Sequence, residues 1–133
     1  MNHVPFICLA YAFFLIYVPR LGPVAQGLAA LPGGYNNNDP RTQALALDGR
    51  ARRAYNAHMN SFEAFPPFAV AVFAAMAGSA HFNLVCYIAI GFCVVRTLYI
   101  FAYLNDKASL RSALWTLGMV AVGALFVLAI IGR

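Results

Sequence analysis

Apolar runs separated by short polar intervals organise this chain. The runs extend from about Val4 to Val18, Arg53 to Ala77, Phe82 to Tyr103 and Leu110 to Ile131. Around the last of them no charge occurs in 21 residues, Ser112 to Gly132, which matches the ~20 residues needed to cross about 30 Å of hydrocarbon. The first run is the shortest. Pro5 suits a first helical turn, no Lys or Arg precedes the run, and Pro19-Arg20-Leu21 is a poor cleavage site, so an uncleaved helix is expected there. The pattern predicts an all-α integral membrane protein. It is a single membrane domain over residues 1–133, a four-transmembrane-helix bundle with helices at about 4–18, 53–77, 82–103 and 110–131 and a long loop at about 19–52.

Two charges interrupt these runs, Glu63 in the second and Arg96 in the third. A charge at the centre of a membrane helix costs roughly 2.5 to 3.5 kcal/mol on the milder scales, so a chain that keeps two of them is generally using them. On a helix, residues at i, i+4 and i+7 share a face, which places Asn56, Asn60 and Glu63 in one stripe with Arg52 or Arg53 above it. Arg96, Tyr99 and Tyr103 form a second stripe on the third helix. Glu63 lies ten residues past Arg53, and Arg96 ten residues before Asp106, each about 15 Å along its axis. The two stripes are therefore expected to meet at one depth. Just beyond Glu63, Pro66 and Pro67 have no N–H for the carbonyls of Phe62 and Glu63, which predicts a kink or loosening of the second helix.

Composition sharpens the membrane reading: 62% of residues are hydrophobic and 10% charged, against roughly 25% charged in a soluble domain. The net charge of +5 is unevenly placed. Arg20, Arg41, Arg50, Arg52, Arg53, Lys107 and Arg111 fall on one side of a four-span topology, and Arg133 on the other. The positive-inside rule puts the first and third loops in the cytoplasm and both termini outside it. The excess cation is a topology and anionic-lipid signal, and nucleic-acid binding is not expected with so little soluble surface. Cys8, Cys86 and Cys93 lie in apolar runs as small hydrophobes. His3, His58 and His81 are scattered, so no metal-ligand spacing appears. The stretch LPGGYNNNDPR at 31–41 is dense in turn formers, and Gly33-Gly34 lacks the strand and lysine of a phosphate-binding loop.

The polar stripes admit two readings. One is a structural interhelical ion pair of Glu63 and Arg96, with Asn60 as polar glue between helices. The other is a polar cavity open to the cytoplasm, walled by the second and third helices and capped by Arg111 and the first loop. One ion pair requires neither Tyr99, Tyr103, Asn56 and Asn60 nor a crown of arginines, which favours the cavity.

The segment RARRAYNAHMNSFEAFPPF at 50–68, with Asn60, Glu63 and Pro66 in an N-x-x-E-x-x-P frame, resembles the second-helix signature of the MAPEG family, the membrane-associated proteins in eicosanoid and glutathione metabolism. RTLYIFAYL at 96–104 and LRSALWTLG at 110–118 are similar to that family's third helix and fourth-helix start, and GGYNNNDPR resembles the first loop of its bacterial members. The likeness covers about residues 30–120. It implies a homotrimer of four-helix bundles in a membrane, the inner membrane for a bacterial member, with glutathione as co-substrate bound between subunits near the cytoplasmic face.

By position, Asn60, Glu63, Arg96, Tyr99 and Tyr103 match family residues that hold the tripeptide. Arg111, followed by Ser112, matches the arginine that stabilises the glutathione thiolate, since a nearby guanidinium favours the attacking anion. Where glutathione-using eukaryotic members carry an arginine able to grip a carboxylate bidentately, this chain has Asn56. Arg52 and Arg53, one turn nearer the cytoplasm, are the substitutes. The resemblance implies a glutathione-dependent transferase or peroxidase acting on lipophilic electrophiles or hydroperoxides. The alternative is a non-catalytic bundle of the same fold that binds another small anion or lipid.

Overall fold

A computed structural model of the protein describes residues 3–132, so Arg133, the lone cation assigned to the far side of the membrane, lies outside the described residues. The helices are α1 (Val4–Pro19), α2 (Ala25–Ala29), α3 (Pro40–Leu45), α4 (Gly49–Ala77), α5 (Phe82–Leu104) and α6 (Ala108–Ile131). Among the described residues three helical stretches are long and apolar enough to cross a membrane: Val4–Ala29 with mean hydropathy 1.8, Phe82–Leu104 with 2.1 and Ala108–Ile131 with 2.5. The 29-residue α4 carries Arg50, Arg52, Arg53 and Glu63 and packs along α1, α5 and α6.

The first helix is longer than its apolar run suggests. The segment Arg20–Val24 carries the chain from α1 into α2 across a kink at Gly22, so helix resumes as far as Ala29 and the loop expected over 19–52 is reduced to about 30–48, with α3 inside it. Pro19 and Pro23 remove two backbone donors, and Gly22 absorbs the mismatch at φ −97°, ψ −106°. Two prolines beside a glycine are an identifiable cause of such a kink. The fourth boundary shifts slightly too, because α6 begins at Ala108. Pro66 and Pro67 do not interrupt α4, which stays helical from Gly49 to Ala77.

Phe68 of α4 stacks on Phe92 of α5 with ring centroids 3.9 Å apart and planes 9° from parallel. Cys8 and Ala12 of α1, Ala64, Ala71 and Ala75 of α4, Ala89 of α5 and Val122 and Leu125 of α6 complete this core. Small residues let helix backbones approach, which matters in lipid, where van der Waals packing replaces the hydrophobic effect as the associating force. Ala71, Ala75 and Gly118 are buried at such contacts within the bundle. The three cysteines are buried and unpaired as disulfides, consistent with their role as small hydrophobes.

Two turns close the bundle by the same device. After α4, Ser79 adopts φ +59° and the Ala80 N–H reaches the Ala75 carbonyl; after α5, Asp106 adopts φ +57° and the Lys107 N–H reaches the Ala102 carbonyl. A left-handed residue lets the chain fold back on the last carbonyls of its helix. Gly78, in the first of these turns, sits against the Ala129 carbonyl of α6, where a Cβ would collide.

A smaller apolar cluster of Val24, Leu28, Ala44, Leu47 and Ala54 joins α2, α3 and the start of α4. Gln43 pins the intervening loop, donating to the Gly34 carbonyl at 2.6 Å and accepting from the Asn36 N–H at 2.9 Å. Asp39 caps α3 by accepting from the Thr42 N–H.

Candidate functional site

Arg96 projects from α5 into the bundle and is 3% exposed. Its Nη2 donates to Asn60 Oδ1 at 3.1 Å and to Ser61 Oγ at 3.2 Å, both on α4, while its Nη1 is buried without a partner among the described residues. Ser61 receives this bond because its own proton goes to the Ala57 carbonyl at 2.8 Å, one helical turn back. Asn60 in turn donates through Nδ2 to Glu63 Oε2 at 3.2 Å. The stripes on α4 and α5 thus meet, but not as a Glu63–Arg96 ion pair. Arg96 lodges on the inner face of α4 at Ser61. Glu63, two residues and about 200° further around that helix, is exposed. Asn60 is the link between them.

From Arg96 the contacts continue towards α6 through aromatic rings. The Arg96 guanidinium carbon sits 4.2 Å from the centroid of the Tyr99 ring. Tyr99 meets Tyr103 edge to face at 5.6 Å, and the Arg111 guanidinium carbon lies 4.5 Å from the Tyr103 ring. Helical spacing explains the row, since Arg96, Tyr99 and Tyr103 recur at i, i+3 and i+7 on α5. A guanidinium over a ring face is held by the ring quadrupole without using its N–H donors. Glu63, Asn60, Arg96, Tyr99, Tyr103 and Arg111 therefore form one continuous contact sequence across three helices.

This row ends at an open cleft of about 170 Å³ lined by Tyr99, Arg111, Ser112, Trp115 and Thr116. Ser112 opens on the cleft beside Arg111, as its position in the sequence suggested. Trp115 and Thr116 were not foreseen, although they lie four residues beyond Arg111 and Ser112 on the same face of α6. Ser61 was also missed; a register argument centred on Asn60 and Glu63 looks past the residue between them. Thr116 Oγ1 donates to the Ser112 carbonyl at 3.1 Å, leaving its oxygen as an acceptor beside the cleft.

Arg53 and Asn56 stand apart from this row. Arg53 Nη2 donates to the Leu104 carbonyl at the end of α5 (3.5 Å), and Nη1 faces Asp106 at 3.9 Å, the one ion pair among the described residues. Arg52 Nη1 donates to the carbonyls of Ala44 and Leu45 at 3.2 and 3.0 Å, at the end of α3. The last carbonyls of a helix lack intrahelical donors and carry partial negative charge, so both arginines act as caps on helices other than their own. Asn56 is half-buried one turn above Asn60.

On the neighbouring face of α4 a larger cavity, about 590 Å³, is lined by Tyr17, Arg20, Arg41, Tyr55, His58 and Phe62, among others. Arg20 and Arg41 make no ion pair among the described residues. His58 Nδ1 is 2.7 Å from the Ile16 carbonyl, a contact that requires the proton on Nδ1. No group of three or more potential metal ligands occurs among the described residues.

No individual curated protein matches the chain. The sequence pattern of the MAPEG family matches residues 4–131, which takes in all three apolar spans, α4 and the whole row from Glu63 to Arg111. This all-helical integral membrane protein belongs to the MAPEG family.

Proposed function

We propose that the protein is a glutathione-dependent transferase or peroxidase acting on lipophilic electrophiles or hydroperoxides that partition into the bilayer. The observation that carries this reading is the position of Arg111. It borders the cleft with Ser112, held against Tyr103 through its ring face, with no ion pair or hydrogen bond of its guanidinium among the described residues. A cation so placed favours the thiolate of a bound thiol. Asn60, Glu63, Arg96, Tyr99 and Tyr103 hold the tripeptide, and the unpartnered Nη1 of Arg96 supplies a buried donor for it.

In this reading α4 is the fourth span and the protein assembles as a homotrimer whose neighbours complete each site. The cationic end of the bundle, near Arg20, Arg53 and Arg111, faces the cytoplasm, and the inner membrane of a bacterium is the setting. Because Arg52 and Arg53 are engaged in capping, the carboxylate partner that Asn56 does not provide comes instead from Arg20 and Arg41. A non-catalytic bundle that binds another small anion or a lipid is the second reading, favoured by Asn56 alone.

The test is ultraviolet thiolate absorbance on adding glutathione at neutral pH, with a chromogenic aryl halide as second substrate. The wild type is expected to show both signal and turnover. In Arg111→Ala, kcat and kcat/KM are expected to fall together by about a hundredfold, the pattern for a group acting chiefly in the transition state, with glutathione binding retained. A wild type with neither thiolate nor turnover would leave the non-catalytic bundle.

A further inference from the structure

We infer that the small cavity beside Arg96, between α1, α4 and α5, is a binding site for one monatomic anion, chloride or bromide. The cavity measures about 10 Å³ and is lined by Arg96 and Ser61, with Ala12 and Leu15 of α1, Ala64 and Phe65 of α4 and Phe92 of α5 completing its walls. That volume takes a single particle of about the size of a water molecule. Phosphate, sulfate and carboxylate groups are excluded by size alone.

The charge of Arg96 calls for such a partner. The groups it bonds to or stacks on are all neutral: Asn60 Oδ1, Ser61 Oγ and the Tyr99 ring. No carboxylate oxygen among the described residues lies within 4.0 Å of it. Arginine keeps its proton inside proteins, so the charge stays. Arg96 lies eight residues from Leu104 and fourteen from Phe82 on α5, or about 12 and 21 Å along the axis. At that depth an ion without a counter-charge is costly.

Hydrogen bonding selects an anion over a water. Nη1 has only protons to offer, and none of them meets an acceptor among the described residues. A water would accept from Nη1, but its own two protons would then need acceptors. The one side-chain oxygen on the cavity wall is Ser61 Oγ, which already donates to the Ala57 carbonyl and accepts from Nη2, so it has room for one of them at most. A halide needs donors and no acceptors, and the remaining walls are hydrocarbon. In the glutathione reading the tripeptide takes Nη1, so there the halide partners Arg96 while glutathione is absent; the halide site itself stands on Arg96 and the cavity alone.

Chloride NMR of the full chain in mild detergent, without glutathione, tests the proposal, because chloride exchanging with a protein site broadens its resonance. The wild type is expected to show broadening that bromide removes and that acetate at the same concentration, too large for the cavity, does not. Arg96→Met should lose it. Ala12→Val, which keeps Arg96 and fills the cavity from α1, should weaken chloride binding about tenfold. Absence of bromide-sensitive broadening in the wild type would overturn the assignment and give Nη1 to a water. Displacement by acetate as effective as by bromide, or broadening that survives both substitutions, would overturn it too and place the chloride on exposed arginines such as Arg41.

Discussion

Arg52 and Arg53 end on backbone carbonyls, whereas Arg96 and Arg111 lie against tyrosine rings. The four side chains are chemically identical, though Arg96 lies deeper along its helix than the other three. The first two close the C-terminal ends of α3 and α5, so their donors are committed to fastening one element to another. Arg111 is positioned by a ring face, and Arg96 by a ring face together with its two bonds to Asn60 and Ser61; a ring face orients a guanidinium without using its N–H groups. A count of positive charges cannot distinguish the pairs. What separates them is whether a helix ends within reach of the side chain.

The sharpest way to break this contrast is to remove Arg96. Arg96→Ala deletes two hydrogen bonds from a charged group and leaves a space in the core beside Gly118 and Phe92. A loss of about 3 kcal/mol is expected in denaturant unfolding from mild detergent. A loss under about 1 kcal/mol would make Arg96 as peripheral as the capping pair. Arg52→Ala should cost about 1 kcal/mol in the same measurement, as expected for a cap on the last carbonyls of α3. It should leave glutathione affinity unchanged; a drop in that affinity would move Arg52 into the binding site. The smallest effect is expected at Glu63. Because it meets Asn60 and not Arg96, and is exposed, Glu63→Gln should change stability by less than about 1 kcal/mol. A cost of several kcal/mol would show that assembly buries it opposite a cation.

Much of this arrangement was legible from spacing. The i, i+3, i+7 pattern of Arg96, Tyr99 and Tyr103 places them in one row whatever the surrounding packing, and the uncharged run of α6 needs only its length to be read. Contacts decided by the far side of the fold were not legible. Nothing near Arg53 in sequence indicates that α5 ends beside it at Leu104. Glu63 and Arg96 share a depth, but depth does not settle the rotation of each helix about its axis, and that rotation separates them. The resumption of helix after the first apolar run was hidden because Pro19, Gly22 and Pro23 read as breakers, whereas in the structure they only kink the chain at Gly22 before α2.

The pinned first loop has a consequence for how the molecule is handled and cut. Its tip, rich in Gly and Asn, would be an obvious target for trypsin at Arg41. A protease, however, needs several residues extended in its cleft, and Arg41 sits within α3, secured by Asp39 at its start, Arg52 at its end and Gln43 across the loop. Cleavage there must wait for this local structure to open. The rate of nicking at Arg41 is then a clock for loop opening that runs independently of the packing around Phe68 and Phe92.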